Sequence, residues 1–149
     1  MNPSQALIGQ AEQAYASGDF ARAISICDQL LPRMSKNDNL LNLKAMACLF
    51  NGQPEAAENT IRRVLKSNPR SAGFQLNAGR IYFHLSRDRS VKHHAQNAIR
   101  LAPREATVLY QAALLHRDCK DHTQALRIVN RCLQLQPDMS EAWRLKGTI

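Results

Sequence analysis

The stretch Ala72–Glu105, AGFQLNAGRIYFHLSRDRSVKHHAQNAIRLAPRE, ends in a Leu-x-Pro whose proline recurs at one fixed distance. Pro69, Pro103 and Pro137 stand 34 residues apart. A proline cannot continue a helix and turns the residue before it away from helical geometry, so each marks a helix end at the same phase. Equal spacing of helix ends means one supersecondary unit laid down repeatedly, and 34 residues hold two helices with their turns. The expectation is an all-α protein of stacked helix pairs.

Working outward from Ala72, the period places unit one at 4–37, unit two at 38–71, unit three at 72–105 and unit four at 106–139, with a fifth begun at Ser140. Unit one carries Leu7, Ala11 and Ala14 on its first helix. The turn Ser17-Gly18-Asp19 follows, and then Phe20, Ala23, Cys27 and Leu30. Gly18 can take positive φ and Asp19 can cap the next helix. Unit two repeats this with Leu41, Ala45, Cys48, the turn Asn51-Gly52-Gln53-Pro54, and Ala57, Ile61 and Val64. Unit three has Ala78-Gly79, Tyr82, Val91, Ala95 and Ala98; unit four has Leu109, Ala112, Ala113, Ala125, Val129 and Cys132. The turns of units three and four, Ser86-Arg87-Asp88-Arg89 and the segment around Lys120, lack the glycine, so local variation in turn geometry is expected there.

These residues give the chain its resemblance to tetratricopeptide repeat (TPR) proteins over nearly its whole length. The shared features are the small pairs Ala78-Gly79 and Ala112-Ala113, Tyr82, the turn glycines, Ala23, Ala57 and Ala125, the closing prolines, and Trp143 ahead of Lys146-Gly147. The resemblance implies a right-handed α-solenoid of antiparallel helix pairs, with four TPR units plus a partial fifth making one domain over 1–149. Residues 140–149 then form a capping helix or a truncated one, and a chain that stops ten residues into a unit reads as a fragment of a longer protein.

The resemblance also implies that first helices line a concave groove holding a peptide. By phase, the groove positions are Gln5, Ile8, Glu12 and Tyr15, then Asn39, Asn42, Met46 and Phe50. Leu76, Asn77, Arg80, Phe83 and His84 follow in unit three, and Thr107, Tyr110, Gln111, Leu114 and Arg117 in unit four. Rings and Met offer contact area, amides bond a peptide backbone in both directions, and Arg80 and Arg117 can pair with carboxylates. The alternative for Phe50, Phe83 and Tyr110 is packing between neighbouring units. The carboxylate-gripping set of chaperone-binding TPR proteins is not matched, since its last pair of positions holds Thr107 and Gln111 and no cation.

Net charge is +8, and from Ile61 to Arg104 ten Lys or Arg face a single acid, Asp88. The middle of the chain therefore favours acidic partners. Arg62, Arg63, Lys66, Lys92, His93 and Arg100 fall on second helices, which the family places on the convex side, where a solvated face is the plain reading. Nucleic acid is disfavoured because no aromatics interleave with the cations. The longest apolar run, Ala45 to Phe50, is far short of the roughly 20 residues a membrane helix needs, and the N-terminus shows no secretory pattern, so a cytoplasmic protein is expected. Cys27, Cys48, Cys119 and Cys132 form no CxxC pair and read as buried thiols.

His116-x-x-Cys119-x-x-His122 is the one ligand-like spacing, and a turn interrupts it. No phosphate loop, nucleophile elbow or HExxH is present. The expected function is thus a non-catalytic module, without cofactor or metal, that binds a protein or peptide. The alternatives are the regulatory arm of a larger enzyme (a glycosyltransferase or a sulfotransferase) and nucleic-acid binding through the basic face. A homodimer through Trp143 of the C-terminal helix is a further partner option.

Overall fold

The computed structural model describes residues 2–149. Among them are nine helices and no strand: α1 (Pro3–Ala16), α2 (Phe20–Leu30), α3 (Asp38–Phe50), α4 (Pro54–Ser67), α5 (Ala72–His84), α6 (Asp88–Leu101), α7 (Ala106–Asp118), α8 (His122–Leu135) and α9 (Ser140–Thr148). The starts of α3, α5, α7 and α9 are 34 residues apart, as are those of α2, α4, α6 and α8. No helix among the described residues is long and apolar enough to cross a membrane. The chain divides into two compact units, residues 1–69 and 70–149.

Helix starts are written locally. Asn2, Asp19, Asn37, Ser71 and Asp121 each accept a backbone N–H three residues on through their side-chain oxygen, satisfying donors that the first turn leaves without helical partners. Pro3 and Pro54 occupy first helical positions, where no N–H is needed. α2 runs 11 residues against 14 for α4, α6 and α8, because Pro32 follows its end and has no N–H to continue the ladder.

All four intra-pair turns close in the same way. Gly18 N–H donates to Tyr15 O and Asp19 N–H to Ala14 O, and the same two bonds recur at Gly52 and Gln53, at Ser86 and Arg87, and at Lys120 and Asp121. This is the paired-bond helix stop that places one residue in the left-handed region. Gly18 and Gly52 take φ of +85° and +79°, and Ser86 and Lys120 are held at +57° and +63°. The expected variation in turn geometry is therefore absent. The two hydrogen bonds and the packing of the flanking helices override the side-chain preference, at a cost of about 1–2 kcal/mol per residue.

In the first unit α1 pairs with α2 and α3 with α4, while α3 also packs on α2. In the second, α5 pairs with α6 and α7 with α8, α7 packs on both α5 and α6, and α9 covers α8. Same-phase positions make the core. Ala23, Ala57, Val91 and Ala125 are wholly buried, as are Cys27, Ile61, Ala95 and Val129. Small residues at such positions let helices approach closely. At Gly79 of α5 an added Cβ would meet Leu115 Cδ1 of α7 at 2.7 Å.

Candidate functional site

In the first unit, α1 exposes Gln5 and Glu12 and half-buries Ile8. Tyr15 packs edge-on against Phe20 at 5.6 Å and lies 6.2 Å from Phe50, and Phe20 and Phe50 are 5.5 Å apart. Phe50, half of whose surface is open, is thus one corner of an aromatic triad that ties the first helix pair to the second. On α3, Asn39 is exposed, Asn42 is half-buried, and Met46 is only 5% exposed. Met46 therefore belongs to the core, because the apolar stripe of α3 runs from Leu40 to Leu49 and is wide enough to cover it. Lys44 of α3 pairs with Asp28 of α2 at 2.7 Å.

In the second unit, Leu76 is 3% exposed and is likewise a packing residue, not an open contact. Three polar first-helix side chains come together. Arg80 Nη1 donates to Asn77 Oδ1 at 2.6 Å, and its Nη2 donates to Gln111 Oε1 of α7 at 2.9 Å. His84 Nδ1 lies 3.0 Å from Arg80 O and stands edge-on to the exposed ring of Phe83. Thr107 is exposed on α7, while Tyr110, Gln111, Leu114 and Arg117 are half-buried. Arg117 donates through Nε and Nη2 to Asp118 Oδ1 at 3.1 and 2.9 Å.

Tyr110, Leu114 and Arg117 line one side of a cleft of about 190 Å³, whose other side is Glu141, Arg144, Leu145 and Thr148 of α9. Sequence reasoning missed this second wall, although the signal was present. Glu141, Arg144 and Thr148 sit one 34-residue period after Thr107, Tyr110 and Leu114.

A second missed feature is polar and buried. Gln75 occupies the phase of Leu41 and Leu109 and is 5% exposed. Its Oε1 lies 2.7 Å from His94 Nδ1 and accepts from Asn97 Nδ2 at 3.4 Å. His94 stacks on Tyr82 with ring centroids 5.3 Å apart, and His93 stands edge-on to it. Burial, with the adjacent His93, pushes the His94 imidazolium down to about 4. A glutamine at an apolar phase was the sequence-level clue.

His116 of the ligand-like spacing is 1% exposed and lies 3.4 Å from both Asp121 Oδ2 and Gln96 Nε2. Burial lowers its pKa, against the partial compensation of Asp121. Lys92 shares Asp121 at 3.5 Å, so His116 is a packed, bonded side chain joining α6, α7 and α8. Among the described residues no three His, Cys, Asp or Glu side chains come together as metal ligands. All four cysteines are buried thiols, and burial pushes Cys27 and Cys119 up to about 11.

Charge is unevenly shared. Residues 70–149 hold thirteen Lys or Arg against six Asp or Glu, whereas residues 1–69 hold seven against six. Of the second-helix cations, Arg62 is paired with Glu58 at 3.1 Å.

Comparison with curated proteins returns no match. Against solved structures, the chain superposes on a thermophilic TPR protein from Thermus thermophilus with a TM-score of 0.82 at 18% identity, over 97% of this chain and 80% of that one. It is also similar to YrrB, described as a TPR protein with an unusual peptide-binding site (TM-score 0.78, 16% identity, 97% and 75% coverage). MamA from Desulfovibrio magneticus RS-1 gives a TM-score of 0.78 at 18% identity, with 91% and 77% coverage. At these identities the likeness is one of fold, an all-α helical-repeat solenoid. Tetratricopeptide repeat models match residues 14–85 and 106–139. With the constant helix spacing, the same-phase core and these matches together, the chain belongs to the tetratricopeptide repeat family.

Proposed function

We propose that this chain is a non-catalytic protein–protein interaction module that binds a segment of a partner protein through residues of its first helices. The four helix pairs and α9 act in this reading as one domain over residues 1–149. The observation that carries it is the Arg80 array. A guanidinium bonded to Asn77 and Gln111 holds amide and cationic groups of two first helices in fixed positions on a half-exposed surface. Fixed donors and acceptors leave most of the ordering cost to the incoming peptide, which is how a rigid helical surface gains affinity. Phe83, His84 and Tyr110 flank that array with accessible ring surface. His94 and His116 are hydrogen-bonded and the four cysteines are buried, so none of these six is presented as a reactive group, which favours a binding role.

The test is peptide capture by the full chain, followed through Arg80→Ala and Phe83→Ala. Both should weaken binding, and binding should survive moderate salt. If Arg62→Glu combined with Lys92→Glu abolishes capture while the first-helix changes leave it intact, the partner docks on the second-helix side and the reading falls. A steep loss of binding with added salt would instead point to nucleic acid.

A further inference from the structure

We infer that the cleft between α7 and α9 receives one side-chain carboxylate together with a neighbouring aliphatic side chain, both presented by the docked segment of a partner protein. This rests on the first-helix docking reading and names its ligand chemistry. At about 190 Å³ the cleft falls below the roughly 300 Å³ at which small-molecule pockets begin, and it suits side chains of a peptide instead. Its base is apolar, with Leu145 buried and Leu114 and Tyr110 half-buried. Its rim carries two guanidinium groups. Asp118 grips Arg117 through Nε and Nη2, which fixes the plane of the group and leaves Nη1 outside that pair.

Arg144 is exposed on α9 and forms no ion pair among the described residues, nor does Glu141 one turn before it. An arginine beside an apolar floor favours a carboxylate whose neighbour is aliphatic, because the planar fork binds both carboxylate oxygens while the floor takes the hydrocarbon. The surrounding unit, with thirteen cations against six acids, draws such a segment in. Glu141 limits the acid content. A second carboxylate placed one turn away would face it, so a single acid is selected over an acidic run.

The experiment pans displayed random peptides of about twelve residues, fused through their C-termini so that no terminal carboxylate is free, on the full chain. Enriched peptides should share an Asp or Glu beside Leu, Ile or Met. Labelled synthetic copies should lose roughly tenfold in affinity on Arg144→Ala, the scale of one charge-assisted contact. Arg144→Glu should prefer the copy with Lys in place of the acid. Capping the peptide C-terminus as an amide should change nothing, and a requirement for the free terminus overturns the side-chain assignment.

Enrichment without an acid, or affinities indifferent to both Arg144 variants, also overturns it. If the same peptides respond to Arg80→Ala but not to Arg144→Ala, the docking reading stands and this inference fails. If no peptide is enriched, both fail. Self-association lost on Arg144→Ala, or capture of an oligonucleotide in place of peptide, assigns the cleft to another occupant and overturns the proposal. Circular dichroism of each variant confirms that exposed Arg144 is dispensable for folding.

Discussion

Arg80 of α5 bridges Asn77 and Gln111, two amides that stand at the same phase of successive units, with bonds of 2.6 and 2.9 Å. One guanidinium therefore reads the repeat period itself, spanning α5 and α7 with two donors set in a rigid fork. A double-mutant cycle on Arg80→Ala and Gln111→Ala, followed by urea unfolding, should give a coupling of about 0.5–1.5 kcal/mol. Arg80→Lys should recover little of it, since a single ammonium cannot hold both amides at these separations. Additive single effects would show that the bridge contributes nothing to stability.

The two turns without glycine store strain. Ser86→Gly and Lys120→Gly should each stabilise the fold by roughly 0.5–1 kcal/mol, because relief of the left-handed penalty exceeds the added entropy of an unfolded glycine. Gly18→Ala and Gly52→Ala should destabilise by about 1 kcal/mol, as nothing but conformation opposes the methyl at either site. Urea midpoints of the four variants check the signs, and a loss of stability at Ser86→Gly would contradict the account.

The buried His94 makes stability depend on pH. Its folded value, about 4, lies below its ordinary value of 6.5, so between these limits the unfolded chain binds more protons than the folded one. Stability should be full above pH 6.5, fall as the pH drops from 6.5 to 4, and gain no further loss from this residue below 4. His116, lowered by its burial, adds in the same direction. Imidazole proton shifts followed by NMR should place His94 near 4, and His94→Gln should flatten the acid limb of the stability profile. A His94 titration near 6.5 would refute the burial argument.

The thiols should be inert in the native state. Cys27, Cys48, Cys119 and Cys132 all have raised pKa values, with burial the leading cause in each. Few thiolates therefore exist at neutral pH. Ellman's reagent should react slowly with the folded protein and with all four thiols in denaturant. Rapid reaction of one native thiol would identify a more open site than the structure shows.

Helix identity, helix pairing and the buried positions were legible in the sequence because each follows from a periodic rule. Prolines at one phase end helices, turn residues cap them, and Ala, Cys, Val and Ile at equal 34-residue offsets share one environment. The shape of the turns was only half legible. Gly18 and Gly52 announce positive φ, whereas Ser86 and Lys120 reach it through hydrogen bonds that their own side chains do not encode.

What only the tertiary structure decided is which same-phase residues remain open. Met46 and Leu76 carry the groove phase yet are buried, and Phe50 is drawn into a triad with Tyr15 and Phe20. Gln75 sits at an apolar phase yet is satisfied by His94, and the α7–α9 cleft exists because two helices 34 residues apart leave a gap between them. Phase fixes the direction in which a side chain leaves its helix. Exposure and bonding depend on the bulk and chemistry of the helix that faces it, a relation between residues remote in the chain that no local pattern contains.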